Sequence, residues 1–474
     1  MSVQKQEAMN ETKVKMRKKI VIIGGGITGL SAARHLDTHA DGSYSVTLVE
    51  AQATLGGQIV SRRVSLATGE RVVLDGGVDS FDTREPEVAA LAEEVGLQGS
   101  VIYTDVPDVH VLDGGQPVRL PQSTLDFVRS NLLTWQEKQR VFKEIFVPQK
   151  PEDEDESLAV FVTRRLGRAA FEKIVGPLVD GVYGVNLENQ SVLTRFPELR
   201  AMERDYGGLL RGMFGCKLAR KKGAGKTPQT PAYFRFAEGA QTLIDALVNR
   251  LGIELRVNTR AVEVKKLGGR YQVVLSTGKP IEADAVILAT PANVNSEVLK
   301  TSAPESATLL KQIPQDSIGS VSLVFRRQDI QKRFEFTRLV IPSRERRAIH
   351  SLTRVSGGAN QSVPKGFELF RVFLAVGIPA VVELDEEEIV RGARTELEAM
   401  LGITAQPVHA EVFRWMNAHP TAEVGHLELV ELIMGQLPAG LFLAGSSYHG
   451  RSVSDCIRQG YDTAEFCLQY VENM

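Results

Sequence analysis

Backbone, rather than side chains, is the first chemistry this sequence offers. Gly24-Gly25-Gly26-Ile27-Thr28-Gly29 follows the β-branched run Lys19-Ile20-Val21-Ile22-Ile23 and precedes apolar residues at helical spacing, Leu30, Ala33 and Leu36. The spacing is G-x-G-x-x-G between a strand and a helix. Gly24 permits the tight turn, Gly26 lets backbone approach a pyrophosphate, and Gly29 lets the helix pack on the strand. The helix N-terminus then presents free N–H groups to phosphate charge. Ser45 to Glu50 reads as a second strand, and Glu50 stands at its end, where a carboxylate can accept ribose hydroxyls. The β-α-β unit predicts a bound dinucleotide.

Two further features favour FAD over NAD. Leu55-Gly56-Gly57 adds a glycine pair that allows close backbone approach. Far along the chain, Leu441-Phe442-Leu443-Ala444-Gly445 reads as a strand ending in glycine, followed by a loop and a helix from about Asp455 to Tyr470. A second helix start near the cofactor fits an extended flavin nucleotide covered by a returning segment.

The elements that must position these residues form an α/β chain. At 474 residues it is long enough for two or three domains, or for one large cofactor domain with insertions. Hydrophobic residues at 43% and charged residues at 24% are globular proportions and exclude a disordered or fibrous protein. Lys+Arg at 56 against Asp+Glu at 58 gives no general pull towards nucleic acid. Cys216, Cys456 and Cys467 make neither a disulfide framework nor a C-x-x-C pair, so a reducing cytoplasm fits. No apolar run reaches the length of a spanning helix, and residues 1–18 lack the core of a secretory signal. The expectation is a soluble or peripheral cytoplasmic protein. No metal cluster or catalytic triad is visible.

The reading divides the chain into a solvated extension over 1–18, an FAD-binding Rossmann-like domain in discontinuous segments (19–85, 232–298 and 416–474), a mostly helical insertion over 86–216, a basic loop over 217–231, and a mixed-sheet substrate domain over 299–415. Helices are predicted over Val88 to Val95, Gln136 to Phe146, Leu158 to Val175 and Glu386 to Leu401. Strands are predicted over Leu255 to Val257, Ala261 to Val264, Tyr271 to Leu275, Ala285 to Ala289, Ser320 to Phe325 and Leu369 to Val376. The acidic run Glu152 to Glu156 reads as a solvated turn. The basic loop, with Lys217, Arg220, Lys221, Lys222 and Lys226, reads as a linker or as a lure for an anionic partner.

Several stretches together carry a resemblance. They are Gly76-Gly77-Val78-Asp79-Ser80-Phe81, Gly176 to Gly184, Glu203 to Leu209, Arg414-Trp415 with Gly425-His426, and Ala444 to Gly450 leading to Val453-Ser454-Asp455-Cys456-Ile457. With the glycine fingerprint, they resemble the FAD-containing, oxygen-dependent coproporphyrinogen III and protoporphyrinogen IX oxidases, the soluble Gram-positive type most of all. The resemblance implies that a porphyrinogen is desaturated, with flavin N5 carrying the redox step and O2 re-oxidising the flavin to give H2O2 in haem biosynthesis. No catalytic side chain is assigned. It implies FAD contacts at Gly24 through Gly29, Glu50, Ala51, Gly77 through Ser80, Val262, Trp415 and Val453 through Asp455. Gly57, Gln58 and Gly445 join them by position. The chain departs from the family at Gln58, where a cation is usual, at Val78 for proline, at Arg84-Glu85 for paired cations, at Gly184-Val185-Asn186 for Ala/Gly-Gly-Asp, and at Pro420 to Glu423, where a tyrosine is missing.

A porphyrinogen carries carboxylates, and arginine meets a carboxylate with two parallel hydrogen bonds. Arg84, Arg211 and Arg451 are candidates for that contact or for ordinary salt bridges. Tyr183 and Phe196 are candidates for an apolar pocket or for core packing. His426 and His449 read as structural, and Cys456 as packing rather than flavin attachment. Peripheral membrane contact and a transient encounter with the next haem-pathway enzyme complete the expectations. The alternatives are a flavin amine oxidase and a non-catalytic FAD-binding paralogue that carries or senses porphyrin.

Overall fold

The computed structural model describes residues 17–40, 42–104, 107–121, 123–150, 154–183, 188–213, 233–356, 362–375, 382–450 and 452–474. The expected extension up to residue 16, the basic loop over 217–231, Cys216 and Arg451 lie outside the described residues.

The buried run of the first strand, Lys18–Ile23, pairs in parallel with Tyr44–Val49 on one side and Ala285–Leu288 on the other. Glu254–Arg256 and Leu441–Leu443 extend this into a five-stranded parallel sheet. Both faces are covered, as an all-parallel sheet requires. On one face lie the helices Ile27–Thr38, Gln241–Val248 and Val453–Glu472, packed through Leu30, Leu36, Leu247 and Ile457. On the other lie the antiparallel strands Ala261–Leu267, Arg270–Leu275 and Ile281–Ala283 with the helix His426–Gly435. Discontinuous segments thus build one doubly covered α/β unit, the expected fold class.

A seven-stranded mixed sheet forms the second unit. Its order is His409–Pro420, Gln315–Arg326, Phe367–Leu374, Ile349–Ser356, Arg338–Val340, Val109–Asp113, Gln116–Arg119. One face packs Leu323, Phe370, Val372 and Leu339 under the helix Glu386–Leu401, whose Asp385 and Glu388 form a reciprocal cap. The strand His409–Pro420 runs through residue 415, where the sequence reading set a boundary.

Of the helices expected in the insertion, two form as Pro86–Glu94 and Trp135–Phe142, the second running into a 3-10 turn at Lys143–Phe146, while the one expected over Leu158 to Val175 breaks at Gly167 (φ +97°) into Leu158–Leu166, a short turn at Arg168–Ala170 and a π-helix at Phe171–Val175. The insertion also contains strands that periodicity missed. Val101–Thr104 joins Tyr233–Phe236, and Val109–Asp113 joins Arg338–Val340. The acidic run corrects the sequence reading as well. Glu156 is buried and meets Arg164 and Arg200, while Asp155 accepts from the Gly425 amide at 3.2 Å. An acid beside buried arginines loses water and gains ion pairs, so this end of the run is structural.

Candidate functional site

The turn after the first strand has the geometry its glycines require. Gly24 sits at φ +111°, and a Cβ there would stand 2.7 Å from the Ala289 carbonyl oxygen. A Cβ on Gly29 would lie 2.0 Å from the Gly24 oxygen, so the helix rests directly on the turn. Gly26 is the N-cap of the helix Ile27–Thr38, without a side-chain cap. A Cβ on Gly26 would meet no atom within 4 Å. Uncapped first-turn amides beside open space suit an anionic group.

Glu50 braces this cradle. Its Oε2 accepts from the Gly25 amide at 2.6 Å and its Oε1 from the Gln52 amide at 2.8 Å, and each oxygen keeps a lone pair. Ala51 follows, exposed. Gly56 donates to the Gly25 oxygen at 2.8 Å, and Gly57 stands against Gly26. The Gln58 amide donates to the Ala418 carbonyl at 2.7 Å. Val262 is the bulged residue of its strand and is exposed, behind a loop whose Thr259 amide binds the Glu50 carbonyl. Val78 packs partly buried on the core of this unit.

The C-terminal motif reaches the same place. Gly445 (φ +124°) ends its strand against Thr28. A Cβ on Gly460 would stand 2.5 Å from the Thr28 oxygen, so the helix Val453–Glu472 crosses the first helix in close contact. Ser452 and Asp455 cap that helix reciprocally, and Asp455 also pairs with Arg458. Its carboxylate therefore fixes the helix start at Val453 and the buried Ser454. Burial pushes the Cys456 thiol up to about 11, which keeps it protonated. His426 is buried with Nε2 at 3.0 Å from the Tyr448 carbonyl, and burial lowers its pKa, so it is a neutral packing element.

The seven-stranded sheet turns its second face to this cradle. Trp415 donates to the Gly57 carbonyl at 3.3 Å and stacks on Phe413. Ser320 donates to the Gly76 carbonyl at 2.6 Å, next to Gly77, and Arg371 binds the Asp79 carboxylate. Ser80 donates to Asp79 at 3.0 Å. Residues paired directly across strands share a face. The registers Arg338↔Thr353, Thr353↔Arg371 and Ser322↔Arg371 therefore set Arg338, Thr353, Arg371 and Ser322 in one row. Arg235 joins from Tyr233–Phe236, bonded to Ser362. Around this row the Arg371 Nε, Arg235 Nε, Ser322 Oγ and Ser351 Oγ are buried with no hydrogen-bond partner. Phe373 lies over Arg371 and within ring contact of His350.

The electrostatics are one-sided. Burial alone would raise Asp79, but the charges of Arg371 and Arg338 hold its carboxyl below the usual range. Burial pushes Asp75 up despite Arg371 and Ser61. Burial lowers His350 to about 4, partly opposed by its hydrogen bond to the Leu374 carbonyl and reinforced by Arg338.

Of the arginines named from sequence, Arg84 and Arg211 lie away from this row. Arg84 is 73% exposed and grips Asp82, its Nε at 2.9 Å from Oδ1. It lines a cleft of about 310 Å³ with His449, Ser454 and Asp455. Arg211 is exposed on the helical insertion. Phe196 is buried in the insertion's core with Phe161 and Leu158. Tyr183 ends the helix Gly176–Tyr183, and its side chain lies outside the described residues. The residues that sequence reasoning missed are Arg235, Arg338 and Arg371. Their only sequence signal is a charge inside a run that otherwise reads as buried strand.

Residues 27–468 match the family described as flavin containing amine oxidoreductase. The chain belongs to the flavin containing amine oxidoreductases. A coproporphyrinogen III oxidase of Bacillus subtilis (strain 168) is 27% identical over 96% of this chain and 99% of its own. That of Propionibacterium freudenreichii subsp. freudenreichii is 28% identical over 94% of this chain and 90% of its own. A crystal structure from Exiguobacterium sp. 255-15, provisionally described as a protoporphyrinogen oxidase, aligns with a TM-score of 0.81 at 27% identity, covering 96% and 99% of the two chains. As a member of this oxidoreductase family the chain takes FAD as cofactor, and the open, amide-lined cradle at Gly26 fits a dinucleotide. Among the described residues no helix is long and apolar enough to cross a membrane.

Proposed function

We propose that this flavoprotein oxidises coproporphyrinogen III to the porphyrin, with protoporphyrinogen IX as a second substrate and O2 as electron acceptor giving H2O2. The observation that carries the reading is the pairing of a near full-length match to coproporphyrinogen III oxidases with a cationic row beside an aromatic ring on the sheet face next to the cradle. Porphyrinogen to porphyrin is a six-electron oxidation, so bound FAD, accepting two electrons at a time, would serve three times per product, with three O2 reduced to three H2O2. The chain's residues do the rest. Gly24 through Gly29, Glu50, Ala51, Gly57, Gln58, Gly77 through Ser80, Val262, Trp415, Gly445 and Val453 through Asp455 hold the cofactor. Phe373 offers an apolar surface to a tetrapyrrole, and the guanidiniums offset its carboxylates. An amine substrate fits less well, because it would bring positive charge towards Arg235, Arg338 and Arg371.

The reading carries a cytoplasmic setting and a passing encounter with the enzyme that takes the product. Peripheral membrane contact would be sought at the exposed Leu125, Trp135 and Phe146 of the insertion. Anaerobic mixing of the holoprotein with coproporphyrinogen III tests the oxidase directly. Bleaching of the flavin band near the mixing time is expected. A yellow protein that binds porphyrin but bleaches with no porphyrinogen would instead be a carrier or sensor.

A further inference from the structure

Arg338 is a guanidinium left without a partner. The residue is half-buried in the seven-stranded sheet, and among the described residues its side chain makes no hydrogen bond or ion pair. Asp79, the carboxylate that attracts it, is already bound to Arg371. The other charged and titratable groups that act on it are Arg371, which repels it, and Tyr233, while His350 is held neutral beside it. Carboxylates do not balance the guanidiniums of this face. Arg235, Arg338 and Arg371 face Asp79 and an Asp75 that burial drives towards its neutral form.

An arginine in that position is costly in the ligand-free protein, because desolvation is not offset by a bound anion. Burial lowers its pKa, which is the same penalty seen from the proton's side. Removing such a group normally stabilises a fold, so its presence asks for a ligand. Farther along the same face the Arg371 Nε, the Ser322 Oγ and the Ser351 Oγ, all buried, lack partners as well. Phe373, two residues along the strand from Arg371, places an aromatic face beside this row.

We propose that Arg338 receives a carboxylate of the substrate, fixing the edge of the macrocycle that lies against Phe373. Arg371 serves as its positioning partner, holding Asp79 away from Arg338. The inference rests on the porphyrinogen reading, and names the group that reads the substrate's charge.

The test uses the FAD-loaded protein and two substrates, coproporphyrinogen III and its tetramethyl ester. Arg338→Met is expected to raise KM for the acid about tenfold or more. It should leave kcat within about twofold and the KM for the ester unchanged. Arg338→Lys should recover part of the loss, because it keeps the charge without the fork. The melting temperature of Arg338→Met should hold or rise. An unchanged KM for the acid would overturn the proposal. So would a melting temperature that falls while acid and ester suffer equally, since that marks a structural arginine. If the wild-type protein oxidises no porphyrinogen, the oxidase reading fails by itself. Binding of coproporphyrin III, followed by fluorescence quenching, then decides on Arg338: weaker binding to Arg338→Met supports the carboxylate site, and equal or absent binding ends it.

Discussion

Inside the helical insertion, Arg164, Arg165 and Arg200 meet Glu144, Glu156 and Glu203; across the sheet face, among the described residues, Arg371 alone of Arg235, Arg338 and Arg371 pairs with a carboxylate, that of Asp79. The first cluster is closed. Arg165 is 0% exposed, and its Nε, Nη1 and Nη2 all donate, to Glu144, Glu203 and the Val147, Pro148 and Gly207 carbonyls. Glu144 takes the remaining donors, the Leu209 amide at 2.9 Å and the Leu210 amide at 3.2 Å. The second cluster is open, with unmatched cations and unpaired donors. Buried arginine by itself therefore says nothing about role. Complete pairing makes it part of the scaffold, and incomplete pairing leaves it available to a ligand.

That difference can be broken by experiment, starting with the closed cluster. Arg165→Ala leaves Glu144 buried and unmatched, so a loss of about 3–5 kcal/mol is expected in urea unfolding. A loss under about 1 kcal/mol would mean that the network is not what holds the insertion. Arg371→Met should cost less, about 1–3 kcal/mol, because the Asp79 it strands is partly exposed and keeps Ser80 as a donor. Arg338→Met should cost nothing. A ranking in which Arg338 matters more than Arg371 would erase the contrast between the clusters.

The smallest effect is in the pH dependence. The folded pKa of His350 lies below its ordinary value of 6.5, at about 4, so the stability that it contributes is complete above 6.5 and is lost as pH falls towards 4. Asp75 has the opposite sign. Its folded pKa is raised, so its contribution is lost as pH rises above 3.8 through the shifted value. His350→Asn should flatten the fall in melting temperature between pH 6.5 and 4, and Asp75→Asn should raise melting temperature slightly at neutral pH. Thermal melts across that range check both. In the closed cluster, burial opposes ionisation of Glu203, yet its hydrogen bonds and charge pairing with Arg164 and Arg165 hold its pKa down. Its contribution survives to lower pH, and below the ordinary carboxylate range it too is lost.

The helix Glu386–Leu401 and the turn from Gly24 to Gly29 were legible because their signals are local: a capping pair three residues apart, and glycines where one residue must turn and the next two must yield space. The strand Val101–Thr104 was not legible, since it is short and is completed by a partner more than a hundred residues away; Val109–Asp113 was missed although its hairpin partner Gln116–Arg119 is local, because both strands are short. Arg84 and Arg211 satisfy the side-chain chemistry of carboxylate recognition, which does not say which face of the fold they occupy, and both are exposed. Arg338 and Arg371 carry no motif, and Glu156 sits in a run that looks solvated.

The sequence by itself determined the nucleotide cradle, because hydrogen bonds and φ angles within a few residues decide whether a chain can turn and approach a pyrophosphate. It also determined the family, through motifs spread over most of the length. Only the tertiary structure decided which charges share a space. Arg338 and Arg371 are 33 residues apart in the chain and reach one row through two antiparallel pairings. Register is a property of paired strands, and the balance of charge in a buried chamber depends on every element that closes it.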